Sequence, residues 1–325
     1  MHRRSGGRRP RRKRRLGLLK LILLAWLVFL IAVPIWAWTA ITKVGFEPSG
    51  DRPSSQPGTT YLLVGSDSRA GLSPAQRREL GTGNAAGRRT DTIMLLHVGD
   101  GPNLLVSIPR DSQVAIPGHG TSKINAAYAW GGPKLLVKTI EQNTGIRIDD
   151  YVEIGMGGVV TVVDAVGGIE ICPTDRMKDP LANLDIKKGC QQADGKTALA
   201  YARSRHTSGL GDIDRAKHQR EVVAAVGKKA ASPWSILNPV RYVSLANAGS
   251  DALRIGKGTG PIALAKFGWA MTRVNGKSGM TCGVPISDLS VRWDSERAPE
   301  FFSHIIEDDT AGISKRLCTP SGIAE

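Results

Sequence analysis

Apolar positions in this chain form one long unbroken block, followed by many short clusters separated by glycine, proline and polar turns. The block, residues 21–42, reads LILLAWLVFLIAVPIWAWTAIT and contains no charged side chain. At about 1.5 Å per residue it spans roughly 33 Å as a helix, enough to cross a bilayer core. Trp36 and Trp38 stand near its far end, where aromatic belts form. A cleaved signal peptide has a shorter apolar core, about 7–15 residues, ending in a small-x-small site. Only Ala37-Trp38-Thr39 faintly resembles such a site, so the block reads as an uncleaved transmembrane signal-anchor helix. Pro34 is tolerated there because neighbouring groups re-satisfy the freed carbonyl.

Beyond the block, residues 43–58 are rich in Pro, Ser and Gly without apolar periodicity and read as a linker. The rest, residues 59–325, shows neither an internal repeat nor a second such linker and is expected to be one domain. Short apolar runs predict strands at Tyr61–Val64, Thr92–Val98, Leu104–Ile108, Tyr151–Ile154, Ile169–Ile171 and Val291–Trp293. Helices are expected at Gly132–Asn143, ending before Gly145, at Val159–Val166, Asp194–Tyr201, Asp214–Ala231 and Ala298–Ile306. The stretch Arg241–Met280 is Gly-rich and yields no clear element. Gly99-Asp100-Gly101-Pro102 joins two strands as a hairpin. The expected class is α/β, a central mixed, partly antiparallel sheet flanked by helices.

Charge follows the same division. Formal net charge is +15, and residues 2–15 carry nine Arg/Lys with no acid, leaving +6 for the remainder. The basic tail, residues 1–20, is expected on the cytoplasmic side, with everything after Lys43 outside the cell membrane. An arginine-rich tail also suits nucleic acid or anionic lipid, but orienting the anchor explains it fully. The remaining excess suits an anionic ligand. The four cysteines, Cys172, Cys190, Cys282 and Cys318, include no CxxC and no zinc-type His spacing. Two disulfides fit an oxidising compartment. Sequential pairing is expected because each bond then closes a local loop, with free buried thiols as the alternative.

Candidate chemistry concentrates in residues 200–220, AYARSRHTSGLGDIDRAKHQR, where Arg203, Arg205, Arg215 and Arg220 accompany Asp212, Asp214 and Gln219. Guanidinium forks bind oxyanions bidentately, so clustered arginines point to a phosphate or diphosphate. The competing reading is a surface salt-bridge network. Asp67 follows a predicted strand, Arg89 and Asp91 precede one, and Arg110 and Asp111 end one. If the hairpin forms, Arg89, Asp91, Arg110 and Asp111 share a sheet edge, leaving an apolar face as core or as a slot for a long hydrocarbon. Carboxylates repel a diphosphate unless a divalent cation intervenes. Mg²⁺ or Mn²⁺ held by Asp67 and Asp91 resolves the conflict, turn capping being the plainer role for either aspartate.

The motifs GSDSR, RRTDT, SIPRDS, TSKINAAYAWGG, VDAVGGIEI, ADGKTALAYARSRH and GDIDRAKHQR, in this order behind one N-terminal anchor, resemble the LytR-CpsA-Psr family from about Tyr61 to Ala231. The resemblance implies a three-layer α/β/α domain with a polyprenyl pocket. It implies transfer of a wall glycopolymer, such as teichoic acid, capsule or arabinogalactan, from undecaprenyl diphosphate to the 6-hydroxyl of N-acetylmuramic acid in peptidoglycan. The family's magnesium ligands fall on Asp67 and Asp91. Its diphosphate-binding residues fall on Arg89, Arg110, Lys123, Arg203, Arg205, Arg215 and Gln219. One departure stands out: the segment between Asp67 and Arg89 is longer than the compact motif.

Such transfer needs positioning and charge neutralisation rather than a covalent nucleophile. Arg110, Arg203 and Arg205 are the expected catalytic cations, and Asp111 or Asp214 the general base. No GxSxG elbow is present. His97 lies mid-strand and is expected to be a satisfied core residue. A lipid-diphosphate hydrolase and a non-catalytic polyanion-binding regulator are the alternatives. A nucleic-acid site is disfavoured because no aromatic residue stands between Arg203 and Arg220.

Overall fold

The computed structural model describes residues 11–67, 90–204, 212–274 and 278–324. The chain enters through α1 (Arg11–Ala40), whose Gly17–Ala40 stretch is long and apolar enough to cross a membrane. Its length and composition suggest a single-pass membrane anchor. The helix stops at Ala40 because Thr42–Val44 already forms β1, the edge strand of the central sheet. The anchor therefore ends slightly earlier than the apolar block suggests.

The sheet has seven strands: β1, β2 (Thr59–Ser66), β3 (Thr90–Val98), β4 (Asn103–Ser107), β7 (Asp150–Gly155), β12 (Leu253–Gly256) and β13 (Gly279–Gly283). Their order is β1-β12-β7-β2-β3-β4-β13. The β12–β7, β2–β3 and β3–β4 pairs are antiparallel, while β1–β12, β2–β7 and β4–β13 are parallel. The mixed sheet and the β3–β4 hairpin match the sequence expectation. Alternation sorts the apolar side chains to two faces. Leu62, Val64, Ile93, Leu95, Leu104 and Val106 pack against α2 (Ile124–Thr144) and α9 (Arg297–Ile306). Tyr61, Leu63, Met94, Leu96 and Leu105 meet Ala224 of α5 (Asp212–Ala230) and Ala270 and Met271 of α8 (Pro261–Met271). Both faces are thus covered by helices, giving three layers.

A second cluster of apolar side chains joins α3 (Met156–Ala165), the β8–β11 and β9–β10 pairs (Ile169–Ile171 with Gln191–Ala193, Met177–Asp179 with Leu184–Ile186) and α4 (Gly195–Arg203). Asp194 caps α4 by accepting from the Thr197 amide at 2.8 Å. The four cysteines form the disulfides Cys172–Cys190 and Cys282–Cys318.

Several elements depart from the sequence reading. Residues 43–58 are built into the domain. Phe46 is buried in the main core against Tyr151, their ring centroids 5.8 Å apart. The Arg52 guanidinium grips Glu141 (2.6 and 3.0 Å) and the Ile148 carbonyl (2.7 Å). Gln56 donates to the Gly145 carbonyl at 2.7 Å. α2 begins at Ile124 and bends at Gly132, which has φ 63°, just before Pro133. A β5–β6 hairpin (Gln113–Ile116, Gly120–Lys123) precedes it, with Gly118 and Gly120 at positive φ in the turn. The Gly-rich stretch holds α7 (Pro239–Ala252), β12 and α8. Val291 is not in a strand: it sits at φ 59° in a turn where its amide donates to the Asp288 carbonyl. Between α5 and α7 lies the short α6 (Pro233–Leu237).

Candidate diphosphate and metal site

The site grows from a distortion in the sheet. β2 and β3 run in register from Thr59↔Val98 to Gly65↔Thr92, then slip so that Ser66 faces Thr90. Asp91 is the extra residue of this β-bulge. A bulge re-aims side chains at the end of a ladder. Here it turns the Asp91 carboxyl toward Asp67, the residue just past β2. The buried Thr90 hydroxyl lies 2.8 Å from the Thr92 carbonyl and 3.0 Å from that of Gly65, which ties the bulge down. Gly65 is required because a Cβ there would lie 2.6 Å from Thr92 Cβ.

Two arginines from distant segments close on Asp91. Arg110, in the turn after β4, donates from Nη1 to Asp91 Oδ1. Arg215, fully buried in the first half of α5, places Nη1 3.7 Å from the same oxygen. The turn carrying Arg110 is fixed by the Ser112 amide on the Pro109 carbonyl (3.0 Å) and the Asn125 amide on the Arg110 carbonyl (3.2 Å). Asp111 then holds Lys123 at 3.0 Å, with Arg110 Nε at 3.9 Å from the same carboxylate.

Burial pushes the Asp91 carboxyl up, but the Arg215 and Arg110 guanidiniums, with hydrogen bonds to Asp67 and Arg110, hold it below the usual carboxylate range. Two carboxyls in contact need a proton or a cation between them. Among the described residues no group of three or more His, Cys, Asp or Glu is placed to hold a metal. Mg²⁺ needs only one or two protein carboxylates when phosphate oxygens and waters complete its shell. The Asp67–Asp91 pair, flanked by cations able to hold those phosphates, fits it.

Of the sequence candidates, Asp67, Asp91, Arg110, Asp111, Lys123 and Arg215 thus form one continuous polar cluster. Arg203 ends α4, which docks on α5 through Tyr201: its ring centroid is 4.4 Å from that of His218, and its hydroxyl donates to Glu221 at 2.5 Å. Gln219 is buried on the same helix. Arg89, Arg205 and the side chain of Asp214 lie outside the described residues. Arg220 is a buried structural group. It donates to Ser107 Oγ and to the Pro320 carbonyl, and burial lowers its pKa to about 10. His97 is satisfied by Thr60 Oγ1 and Asp308 Oδ1, each at 2.9 Å. The sequence did not reveal the bulge or Thr90. The only local signal was the Thr-Asp-Thr step opening β3, which is equally ordinary in a strand.

The LytR_cpsA_psr family model matches residues 42–259. The chain belongs to the LytR-CpsA-Psr family. The probable cell wall biosynthesis protein LcpB of Corynebacterium glutamicum is 44% identical over 298 residues, covering 89% of this chain and 70% of LcpB. The polyisoprenyl-teichoic acid–peptidoglycan teichoic acid transferase TagU of Oceanobacillus iheyensis is 36% identical over 183 residues, covering 54% of this chain and 52% of TagU. The chain thus spans about half of that transferase's length. A LytR-Csp2A-Psr enzyme from Actinomyces oris superposes with a TM-score of 0.65 at 22% identity, over 82% of this chain and 96% of that one. At that identity the likeness shows the LytR-CpsA-Psr fold.

Proposed function

We propose that this LytR-CpsA-Psr protein is a glycopolymer–peptidoglycan phosphotransferase working outside the membrane that α1 anchors. Its donor would be a polyprenyl-diphosphate-linked glycopolymer and its acceptor the 6-hydroxyl of peptidoglycan N-acetylmuramic acid. The observation that carries this reading is the convergence of Arg110 and Arg215 on Asp91, in contact with Asp67. A buried guanidinium aimed at a carboxylate pair makes a poor surface salt bridge and a good oxyanion cradle. Sequence kinship to TagU, whose name describes such a transfer, supports it.

In the reaction, the acceptor oxygen bonds to the phosphorus nearer the glycopolymer. The bond from that phosphorus to the bridging oxygen breaks, and prenyl phosphate leaves with the electron pair. Arg110 and Arg215 hold the diphosphate in line and offset the charge that builds on its oxygens. Arg203, Arg205, Arg89, Lys123 and Gln219 are the further diphosphate contacts of this reading. Mg²⁺ (or Mn²⁺) on Asp67 and Asp91 supplies Lewis-acid neutralisation when bound. The hydroxyl proton passes to a carboxylate. Asp111, which lies 3.0 Å from Lys123 Nζ, and Asp214 are the two candidates.

The test is acceptor dependence. The full chain in vesicles, given a prenyl-diphosphate-linked oligosaccharide and peptidoglycan strands, should yield a phosphodiester conjugate visible by mass. Release of free oligosaccharide phosphate at the same rate with or without acceptor would make it a hydrolase instead.

A further inference from the structure

We propose that α6, α7 and the start of α8 form a second membrane contact, inserted into the bilayer leaflet on the domain's side beside α1. The inference rests on α1 being the membrane anchor. α7 packs along α1, and the Tyr242 hydroxyl near its start donates to the Leu30 carbonyl at 2.8 Å. The Tyr242 and Phe29 rings lie 5.7 Å apart, and Phe29 stacks on Trp26 at 5.2 Å. Leu30 sits well inside the apolar span Gly17–Ala40. A bilayer core takes about 20 helical residues. Any stretch of that length within the span must reach at least to Trp36. Leu30 then lies some six residues, about 9 Å, beneath the core boundary. The segment bonded to it is drawn to the same depth.

The surface there suits that depth. Trp234, Leu237 and Val240 are 60%, 62% and 76% exposed, and Ile262 on α8 is 73% exposed. Isolated exposed apolar residues are ordinary, but these lie on α6, α7 and α8, of which α7 and α8 touch α1 and α6 packs on α7. The stretch that carries them is basic: from Lys228 to Arg273 the chain has seven Lys/Arg and a single acid, Asp251. Exposed apolar side chains on a basic helical stretch suit an interfacial contact with anionic lipid. Where α1 leaves the span, Trp38 Nε1 donates to the Thr259 carbonyl at 3.2 Å and Lys43 lies 3.7 Å over the Trp38 ring. The occupant of the apolar face is therefore lipid, and the domain rides on the membrane in one fixed pose.

Nitroxide labels at Leu237→Cys, Val240→Cys and Ile262→Cys would test this in the full chain, reconstituted in phosphatidylglycerol–phosphatidylethanolamine vesicles. Leu24→Cys in α1 serves as the lipid reference. Leu289→Cys serves as the aqueous one, because it follows β13, at the opposite edge of the sheet from β1. Power saturation should show the three labels losing collisions with a water-soluble nickel complex and gaining them with oxygen, as at Leu24. Nickel accessibility equal to that at Leu289, with Leu24 in lipid, would overturn the proposal. So would shielding from both reagents with spin–spin broadening, which would mean a second copy covers the face. An aqueous Leu24 would remove the anchor and the proposal together.

Discussion

Arg215 lies buried in α5 with its Nη1 3.7 Å from Asp91 Oδ1, the same oxygen to which Arg110 donates. The fold holds this cation in place before any ligand arrives. Arg215→Lys keeps the charge but loses the fork. It should lower transfer by about 10²-fold, the usual scale for losing one preorganised charge donor. Arg215→Ala should lose more activity and also about 1–3 kcal/mol of stability, because buried polar neighbours are stripped. Steady-state kinetics and thermal unfolding on both variants read the two effects separately. Full activity in Arg215→Lys would show that the fork is unnecessary.

In the proposed function the Asp67–Asp91 carboxylate pair would hold the metal. Mg²⁺ at about a hundred times its Kd should stabilise the wild type by about 2.7 kcal/mol, seen as a rise in Tm. Asp67→Asn and Asp91→Asn should each abolish that rise, while both variants still fold. A Mg²⁺-induced shift of unchanged size in both would place the ion elsewhere.

Asp91 also sets a pH expectation. Its folded pKa is depressed, so the stability it contributes is complete above the unfolded value of about 3.9 and is lost as pH falls through the lower folded value. The Asp91 carboxylate should stay ionised from pH 8 to about 5, with no loss of ion pairing across that range. Carbon-13 NMR of labelled aspartates, assigned through Asp91→Asn, reads this directly. A midpoint above the ordinary aspartate value would contradict the paired arrangement.

Arg52 clamps the segment after the anchor. Its partner Glu141 is almost wholly buried, and Glu141 Oε1 also accepts from the Ile148 amide at 3.1 Å. Arg52→Ala strands a buried carboxylate and should cost about 3–5 kcal/mol. Arg52→Ala with Glu141→Gln should recover much of that loss. Thermal denaturation of the single and double variants measures it, and a neutral single variant would return residues 43–58 to the status of a loose tether.

How much of this was legible depended on whether the cause was local. The β3–β4 hairpin could be read because two apolar runs flank a Gly-Asp-Gly-Pro turn, and it alone brings Asp91 near Arg110. The helix over Asp194–Tyr201 and the uncharged run of α1 could also be read from local pattern alone. The linker was misread because its holding contacts run to Glu141, Gly145 and Ile148, roughly ninety positions away. Composition records backbone freedom, not such partners. The Gly-rich stretch hid α7 and α8, although Asn238-Pro239 and Gly260-Pro261 carried the Pro-at-N1 signature of helix starts. Val291 looked like a strand residue by its branching, but the Asp288 turn forces it to positive φ. The bulge at Asp91 comes from a register slip between strands, which no single strand's pattern encodes.

The most direct measurement is the affinity of a short-chain prenyl diphosphate for the full-length chain in nanodiscs with Mg²⁺, by titration calorimetry. Arg110→Ala and Arg215→Ala should each weaken binding by about tenfold or more, the scale of one charged hydrogen bond. The wild type should also prefer the diphosphate over the monophosphate. Equal affinity across wild type and both variants would mean that the guanidiniums around Asp91 do not cradle a diphosphate.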